Sequence, residues 1–362
     1  MADWMIYGAT GYTGQLAAEE AVRRGHKPLL AGRSEHKLKS LAERLNLEYV
    51  TAPLDDPAAL EQAVRRVKVV YHAAGPFAYT SQPMLQACLS AGAHYLDITG
   101  ETQVYQQIYA HDAAARDKGI ALIPGVGFDF IPIDCLAAYV ADQLPDATHL
   151  ITAASMLGSS MVGSVSAGTA QSLLEILHHV GNIVRRDGEL VPVPLGAGAR
   201  HFPFPSGERL AMPIPWGDLE VAYRSTGIPN MTSYLALPSG LIRLTRLTGG
   251  LLVRMMHIDG VRHALSGLVG RMLTGPSELS RETGRSYLYA QVRNANGETR
   301  EGWLETIEAY QFTAKAALPV VERVLDGAYR GALTPARAFG ADFVLEIEGT
   351  RRWDSLPDSY SG

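Results

Sequence analysis

Seven residues near the start, Gly8-Ala9-Thr10-Gly11-Tyr12-Thr13-Gly14, read GxxGxxG. A glycine trio of this kind lets an anion approach the backbone. Gly8 permits a tight turn, Gly11 removes a side chain where a pyrophosphate must come close, and Gly14 lets a following helix lie against a strand. The helix start adds backbone N–H groups and a partial positive charge. Taken alone, the trio reads equally well as a plain turn. Its setting favours the cradle: the strand-like run Trp4-Met5-Ile6-Tyr7 precedes it and a helical pattern from Gln15 to Arg24 follows. That is the context a dinucleotide fingerprint requires.

The second strand discriminates between nucleotides. A ribose with free hydroxyls is held by an acid about 20 residues after the turn. Here the strand ends Ala31-Gly32-Arg33-Ser34, and the first acid, Glu35, already belongs to the next helix. Arg33 can face a 2′-phosphate, with Ser34 and Lys37 in support. The expected cofactor is NADP(H); the plain alternative for Arg33 is a solvated surface residue. Asp55, after the third strand, could approach the adenine. Ala74-Gly75-Pro76-Phe77, after the fourth, would let backbone approach the same cofactor. Asp97 to Glu101 and Gly125 to Asp129 fall on the same strand ends, where such sheets bind ligands.

The elements that must position these residues alternate through the first 145 residues. Strands are read at 4–7, 28–31, 48–52, 68–73, 94–98 and 120–124, and helices at 15–24, 35–45, 57–65, 81–91 and 102–118. Such alternation predicts an α/β fold, a Rossmann-type doubly wound parallel sheet covered on both faces. The rhythm then changes. Strand candidates at Leu219–Tyr223, Tyr234–Leu237, Ser286–Val292 and Gly302–Ala309, the last two flanking an Asn-Gly turn at Arg293–Gly297, predict an α+β substrate or interaction domain with a mainly antiparallel sheet. One helix is read within 163–180 and one or two within 241–273. Residues 192–215, rich in Pro and Gly, read as a surface loop. Helix returns at Gln311–Leu325, followed by an element at Phe339–Ile347. The expected organisation is 1–145 for the nucleotide, 146–310 for the substrate, 311–349 packing back on the first domain, and a tail from 350 to 362.

Composition narrows the function classes. Of 362 residues, 47% are hydrophobic and 19% charged, which suits a globular protein with a sizeable core. A net charge of −5 gives no reason to expect nucleic-acid binding. The two cysteines, Cys88 and Cys135, lie far apart in apolar helical patterns and read as buried thiols of a reducing cytoplasm. No leader is read, and Asp129 and Asp134 interrupt the longest apolar stretch, so no membrane span is expected. His178-His179 and the pair His257 and His263 lack a third ligand at metal spacing. Ser159, Ser160 and Ser164 lack a nucleophile elbow. No metal and no hydrolytic chemistry are expected.

Several segments together resemble a known family. GATGYTG, LAGRS, AAGPF, AGAHYLDITGE and PGVGFDFIPID follow, in order, the pattern of the saccharopine dehydrogenase-like oxidoreductases, and the chain is especially similar to the branch of trans-acting enoyl reductases. LTPARAFGADFVLEIEG is similar to that branch's C-terminal signature. The likeness is dense over 1–145 and thin in the middle. It implies that Gly8 to Gly14 hold the pyrophosphate and Arg33 the 2′-phosphate. It implies that Gly75-Pro76-Phe77 border the nicotinamide, that Asp97, Gly100 and Glu101 shape the floor of the cleft, and that Gly127-Phe128-Asp129 form the domain junction. The implied reaction is hydride transfer to an unsaturated acyl or polyketide chain, delivered by a partner synthase. The alternatives are an imine or amino-acid reductase, or an NADPH-binding sensor or adaptor at a lipid or enzyme surface. Reduction needs a proton as well. Tyr79 is the candidate acid, ahead of Tyr95, Asp97 and Glu101, which read as structural.

The segment 241–273 carries Arg243, Arg246, Arg254, Arg262 and Arg271 against one acid, Asp259, among dense apolar residues including Met255, Met256 and Met272. It reads first as two buried helices with snorkelling arginines. The second reading is a surface for a membrane, an acyl carrier or a greasy substrate. A homodimer stays open. The expected location is cytoplasmic, with peripheral membrane contact allowed.

Overall fold

The structure is a computed structural model that describes residues 2–157, 171, 182–256 and 277–356. The expected helix within 163–180, the paired histidines, Ser159, Ser160, Ser164, Asp259, Arg262, Arg271, Met272 and the last residues of the tail lie outside the described residues. The chain forms two compact units, Met1–Asp129 with Tyr310–Phe339, and Phe130–Ala309 with Gly340–Gly362. The opening stretch of the first therefore ends sixteen residues before the boundary read from the sequence, at the head of the helix that opens the second, and its later stretch ends at Phe339, so that residues 340–349, expected with the first domain, belong to the second unit.

The first unit runs β1 (Trp4–Tyr7), α1 (Tyr12–Arg23), β2 (Leu29–Gly32), α2 (Glu35–Leu45), β3 (Tyr49–Thr51), α3 (Pro57–Val64), β4 (Val69–His72), α4 (Phe77–Ala91), β5 (His94–Asp97), α5 (Thr102–Tyr109), α6 (Asp112–Lys118) and β6 (Ala121–Ile123). All its strands pair in parallel, in the order 3-2-1-4-5-6, the Rossmann order. A two-residue strand near the C-terminus, Gly331–Ala332, extends this sheet beside β6. Strands β1, β2 and β4 are buried at every position, as a parallel sheet covered on both faces requires. The register aligns Ala31, Tyr7, His72 and Asp97 in one row across the carboxyl ends of β2, β1, β4 and β5. Every expected nucleotide residue therefore lies on one edge. The single helix expected over 102–118 is two, α5 and α6, broken at Ala110-His111.

The second unit starts with α7 (Ile131–Asp142) and builds one mixed sheet from β7 (Ala147–Leu157), β8 (Ile183–Arg186), β9 (Glu189–Pro192), β10 (Arg200–Phe204), β11 (Gly207–Pro213), β12 (Asn230–Ala236), β13 (Arg285–Asn294) and β14 (Thr299–Ile307). Helices α8 (Asp218–Thr226), α9 (Ser239–Met256) and α10 (Glu278–Thr283) lie between its strands. Then α11 (Ala309–Asp326), β15 (Gly331–Ala332) and α12 (Pro335–Phe339) follow, before a 3-10 turn at Phe343–Glu346 and the edge strand β16 (Arg351–Trp353). The sheet is antiparallel except where β12 runs parallel to β7.

Strands β10 and β14 stand far apart in the order β10-β11-β12-β7-β13-β14, yet Trp303 Nε1 on β14 donates to Pro203 O on β10 at 2.6 Å. The sheet must curl to allow this. Phe202, Phe204, Tyr234, Tyr289 and Trp303 pack together in one buried cluster.

Three further expectations change, and one strand was missed. Leu219–Tyr223 is not a strand but the body of α8. Gly217 precedes it, Asp218 and Glu220 sit in its first turn, Arg224 in its last, and Gly227 closes it at φ +74°. These are helix-end signals that a short alternating apolar pattern overrode. Residues 192–215 are not a loop: β10 and β11 form a hairpin there, paired from Arg200↔Ala211 to Phe204↔Gly207. The start of the expected tail is a strand, because Trp353 pairs with Trp303 and Arg351 with Glu305. Strand β7, between β12 and β13, was not legible. It is rich in Ala, Ser and Thr, and its neighbours on both sides impose the strand.

Candidate functional site

The glycine turn is built by close packing at two of its three glycines. Gly8 has φ +82°, and a Cβ there would stand 2.7 Å from Ala74 Cβ and 2.8 Å from Ala74 N. Gly8 N and Ala9 N donate to Ala31 O at 2.9 and 3.3 Å, tying the turn to the end of β2. A Cβ at Gly14 would collide with Gly8 O and stand 2.9 Å from Ala9 Cα. Gly8 and Gly14 are thus demanded by the protein's own packing. Gly11 is different. It is exposed, it caps α1, and a Cβ on it would find only Gly8 O, at 3.2 Å. Bare backbone at a helix start with room above it is what a diphosphate needs. Thr10 O accepts from Gln15 Nε2 at 3.0 Å, and the Tyr12 ring meets Tyr310 edge-on at 5.0 Å. Tyr12 and Thr13 open the helix.

Arg33, Ser34 and Lys37 gather where β2 passes into α2. Arg33 and Lys37 are exposed, and Ser34 occupies the cap without using its side chain to cap. Among the described residues Arg33 makes no ion pair or hydrogen bond. Its charge is felt at the Tyr7 hydroxyl: burial raises that phenol to about 12, Arg33 opposes the rise and Asp55 adds to it. Tyr7 Oη donates to Ala52 O at 2.8 Å. Arg33, Asp55 and Tyr7 therefore share one neighbourhood. Tyr7, as the last residue of a strand, gave no local sign of this.

The segment from Ala74 to Ala78 is held from two sides. Glu101, fully buried, accepts from Phe77 N at 2.9 Å and Ala78 N at 2.7 Å, so it stands at the start of α4 and complements its dipole. Thr80 Oγ1 donates to Ala74 O at 2.6 Å and lies 3.1 Å from Pro76 O. With that proton committed, His72 Nε2, 3.2 Å away, is the donor to Thr80 Oγ1. Burial pushes the imidazole down to about 3, so it is neutral. Its Nδ1 is buried without a partner. The ring lies against Tyr7 and Phe77, with centroids 5.4 and 5.3 Å away.

Asp97 staples the next two loops. Its Oδ1 accepts from Thr99 N and Gly125 N, both at 3.0 Å, and its Oδ2 from Tyr95 Oη at 2.6 Å. Burial raises its carboxyl to about 6 against the pull of these bonds. Asp97 and Glu101, expected on the floor of a cleft, thus fix the loops of the sheet edge, and Gly100 lies half-buried between Thr99 and Glu101. A Cβ on Gly127 would stand 3.1 Å from Thr313 Cγ2, and Phe128 N donates to Thr313 Oγ1 at 3.0 Å. Thr313 is 185 residues from Phe128, beyond any local motif. Asp129, half-buried, is raised to about 6 by desolvation and has no hydrogen bond or ion pair among the described residues. Tyr79 is exposed in the first turn of α4. No group of three potential metal ligands occurs among the described residues.

With this geometry in view, residues 4–123 match the family described as the saccharopine dehydrogenase NADP binding domain. Residues 4–123 are a saccharopine dehydrogenase NADP-binding domain. Its residues fit the cofactor: Gly11 leaves backbone bare at the helix start after β1, and Arg33, at the end of the neighbouring strand β2, has its charge unspent. NADP(H) is the cofactor of this domain.

The chain is similar to a human saccharopine dehydrogenase-like oxidoreductase, 29% identical over 215 residues, covering 53% of this chain and 50% of that one. A Mycobacterium tuberculosis protein named as a trans-acting enoyl reductase is 33% identical over 190 residues, covering 50% of this chain and 45% of that one. The matches thus span about half the length of these relatives. Saccharopine dehydrogenase (L-Glu forming) from Saccharomyces cerevisiae shares the fold, with a TM-score of 0.67, 12% identity, and coverage of 98% of this chain and 100% of that one.

Proposed function

We propose that this chain is an NADP(H)-dependent oxidoreductase that reduces the C=C bond of an enoyl group on an acyl or polyketide-type chain. The observation that carries the reading is the 33% identity to a trans-acting enoyl reductase, joined to an edge built for NADP(H). When bound, the cofactor supplies a hydride. The protein's own work is to orient and to protonate. Gly11 and the start of α1 receive a diphosphate, and Arg33, with Ser34 and Lys37, receives a 2′-phosphate. His72, Thr80 and Glu101 hold Ala74 to Ala78 rigid without bringing a charge on the imidazole.

Asp129 is the first candidate proton source because it follows β6 at the carboxyl ends of the parallel strands and has no hydrogen bond or ion pair among the described residues. A carboxyl raised to about 6 still carries its proton in part of the population near neutrality. Tyr79 is the second candidate acid.

The test is rapid-mixing oxidation of bound NADPH with a panel of enoyl thioesters and imines. Oxidation with enoyl thioesters is expected. Oxidation with imines alone would assign an imine reductase instead, and tight NADPH binding with no oxidation by any substrate would assign a sensor. With an active substrate in hand, Asp129→Asn should slow turnover and abolish a fall in rate as pH rises through about 6, because the acid form is lost there. Tyr79→Phe should then leave turnover largely intact. The reverse result would make Tyr79 the acid.

A further inference from the structure

Away from the nucleotide edge, the second unit carries α9, an 18-residue helix with two unlike faces. One face is docked. Ile242 is buried, a Cβ on Gly249 would stand 2.9 Å from Leu195 Cβ, and a Cβ on Gly196 would stand 3.4 Å from Arg246 Cα. At about 100° per residue, positions 242, 246 and 249 fall within roughly 60° of one another. Leu244, Leu247 and Met255 fall within roughly 80° of one another on the opposite side. They point away from the docked face, and Leu247 is 85% exposed, Leu244 55% and Met255 40%.

Arg243 and Arg254 project along one flank of this stripe and are exposed, as is Arg246. Among the described residues none of the three arginines has an ion-pair partner. The helix contains no Asp or Glu.

A row of exposed Leu and Met is a recognition surface rather than ordinary scatter. Its charge selects the occupant. Cations without a single acid on the helix are complementary to a surface of fixed negative charge, and an apolar stripe beside them needs a hydrocarbon layer directly beneath that charge. We propose that α9 docks on an anionic lipid bilayer, with Leu244, Leu247 and Met255 at the acyl boundary and Arg243 and Arg254 among the headgroup phosphates. No helix among the described residues is long and apolar enough to span a membrane, so this contact is peripheral. The inference is independent of the reaction proposed above.

Co-sedimentation of the full chain with phosphatidylglycerol–phosphatidylcholine vesicles, and with phosphatidylcholine alone, tests it. Binding to the anionic vesicles that weakens with added salt is expected. The double substitution Leu244→Asp with Leu247→Asp should abolish it, and Arg243→Glu with Arg254→Glu should weaken it by at least about tenfold. NADPH binding, read by nucleotide fluorescence, reports that each variant is folded. If the double aspartate variant loses it, Leu247→Ser alone serves, since that side chain is almost free of packing, and it should still weaken sedimentation. Absent sedimentation, equal sedimentation with neutral vesicles, or anionic binding untouched by the Leu substitutions would overturn the proposal. An acidic carrier protein that binds this helix while anionic vesicles do not would overturn it too.

Discussion

Each unit buries an aspartate where an element begins or ends, and the two are used differently. Asp97 closes β5 and gathers donors from three places, Tyr95 Oη, Thr99 N and Gly125 N. It thereby joins the loops that follow β5 and β6. Asp218 opens α8 and takes Thr152 Oγ1 from β7 at 2.6 Å. Ser233 on β12 adds a second hydroxyl, so Asp218 pins one helix across a single pair of neighbouring strands. Burial raises both carboxyls to about 6. A parallel sheet collects all its loops on one edge, so one carboxylate there can brace several. A curled mixed sheet spreads its connections, and each needs its own clasp.

The largest expected effect follows from that difference. Asp97→Ala leaves two backbone N–H groups and a phenol without their acceptor in a buried place, which costs on the order of 4 kcal/mol. Urea unfolding should show it, and a loss under 1 kcal/mol would mean the loops are braced elsewhere. The charge carries a separate signature. A carboxyl with a folded value near 6, above the usual range near 4, binds its proton more tightly when folded. Its contribution is full at low pH and is lost as pH rises through about 6, by about 1.4 kcal/mol per group between pH 5 and pH 8. Asp97→Asn and Asp218→Asn should each flatten that slope in urea titrations at the two pH values.

The next effects separate packing from binding within the first unit. Gly14→Ala forces a methyl into Gly8 O and against Ala9 Cα, an overpacking of backbone worth about 3 kcal/mol. It should lower stability and NADPH affinity together. Arg33→Ala touches no packing, since the side chain is exposed and unpaired among the described residues. It should leave stability unchanged and weaken NADPH by about 30-fold, or about 2 kcal/mol, while NADH affinity stays level. Equal losses for both nucleotides would remove Arg33 from the 2′-phosphate.

The same contrast explains what could be read from the sequence. The first unit was legible because strands buried on both faces are short apolar runs, and each ends in residues that chemistry constrains: Gly8, Arg33, Gly75 and Asp97. The residues were visible, though not always their tasks. Asp97 and Glu101 turn out to hold loops and a helix start, and the His72–Thr80 pair becomes apparent only when the first turn of α4 folds back over β4. Thr313 was out of reach, since nothing near it in the chain announces Phe128. In the second unit β7 is strand by virtue of its neighbours, and α8 carries apolar residues that also fit alternation. The Pro- and Gly-rich stretch around β10 and β11 hid a hairpin because Phe202 and Phe204 gain their burial from Tyr234, Tyr289 and Trp303, far along the chain.

That hairpin supplies the smallest test, and it bears on the curl of the sheet. Trp303 Nε1 reaches Pro203 O at 2.6 Å, although β14 and β10 are separated by four intervening strands. The ring also packs on Tyr289, centroids 5.5 Å apart, and is 6% exposed. Trp303→Phe keeps an aromatic ring in the cluster and removes the indole N–H, leaving Pro203 O without that donor. One such bond is worth about 1 kcal/mol, and urea unfolding should register a loss of that size. Proteolysis should then cut sooner between Phe204 and Gly207, where the hairpin turns, because the clasp across the curl is gone. A variant as stable and as resistant as the parent would mean that the aromatic packing of Phe202 and Tyr234 closes the sheet without the bond, and that the indole is a passenger in the cluster.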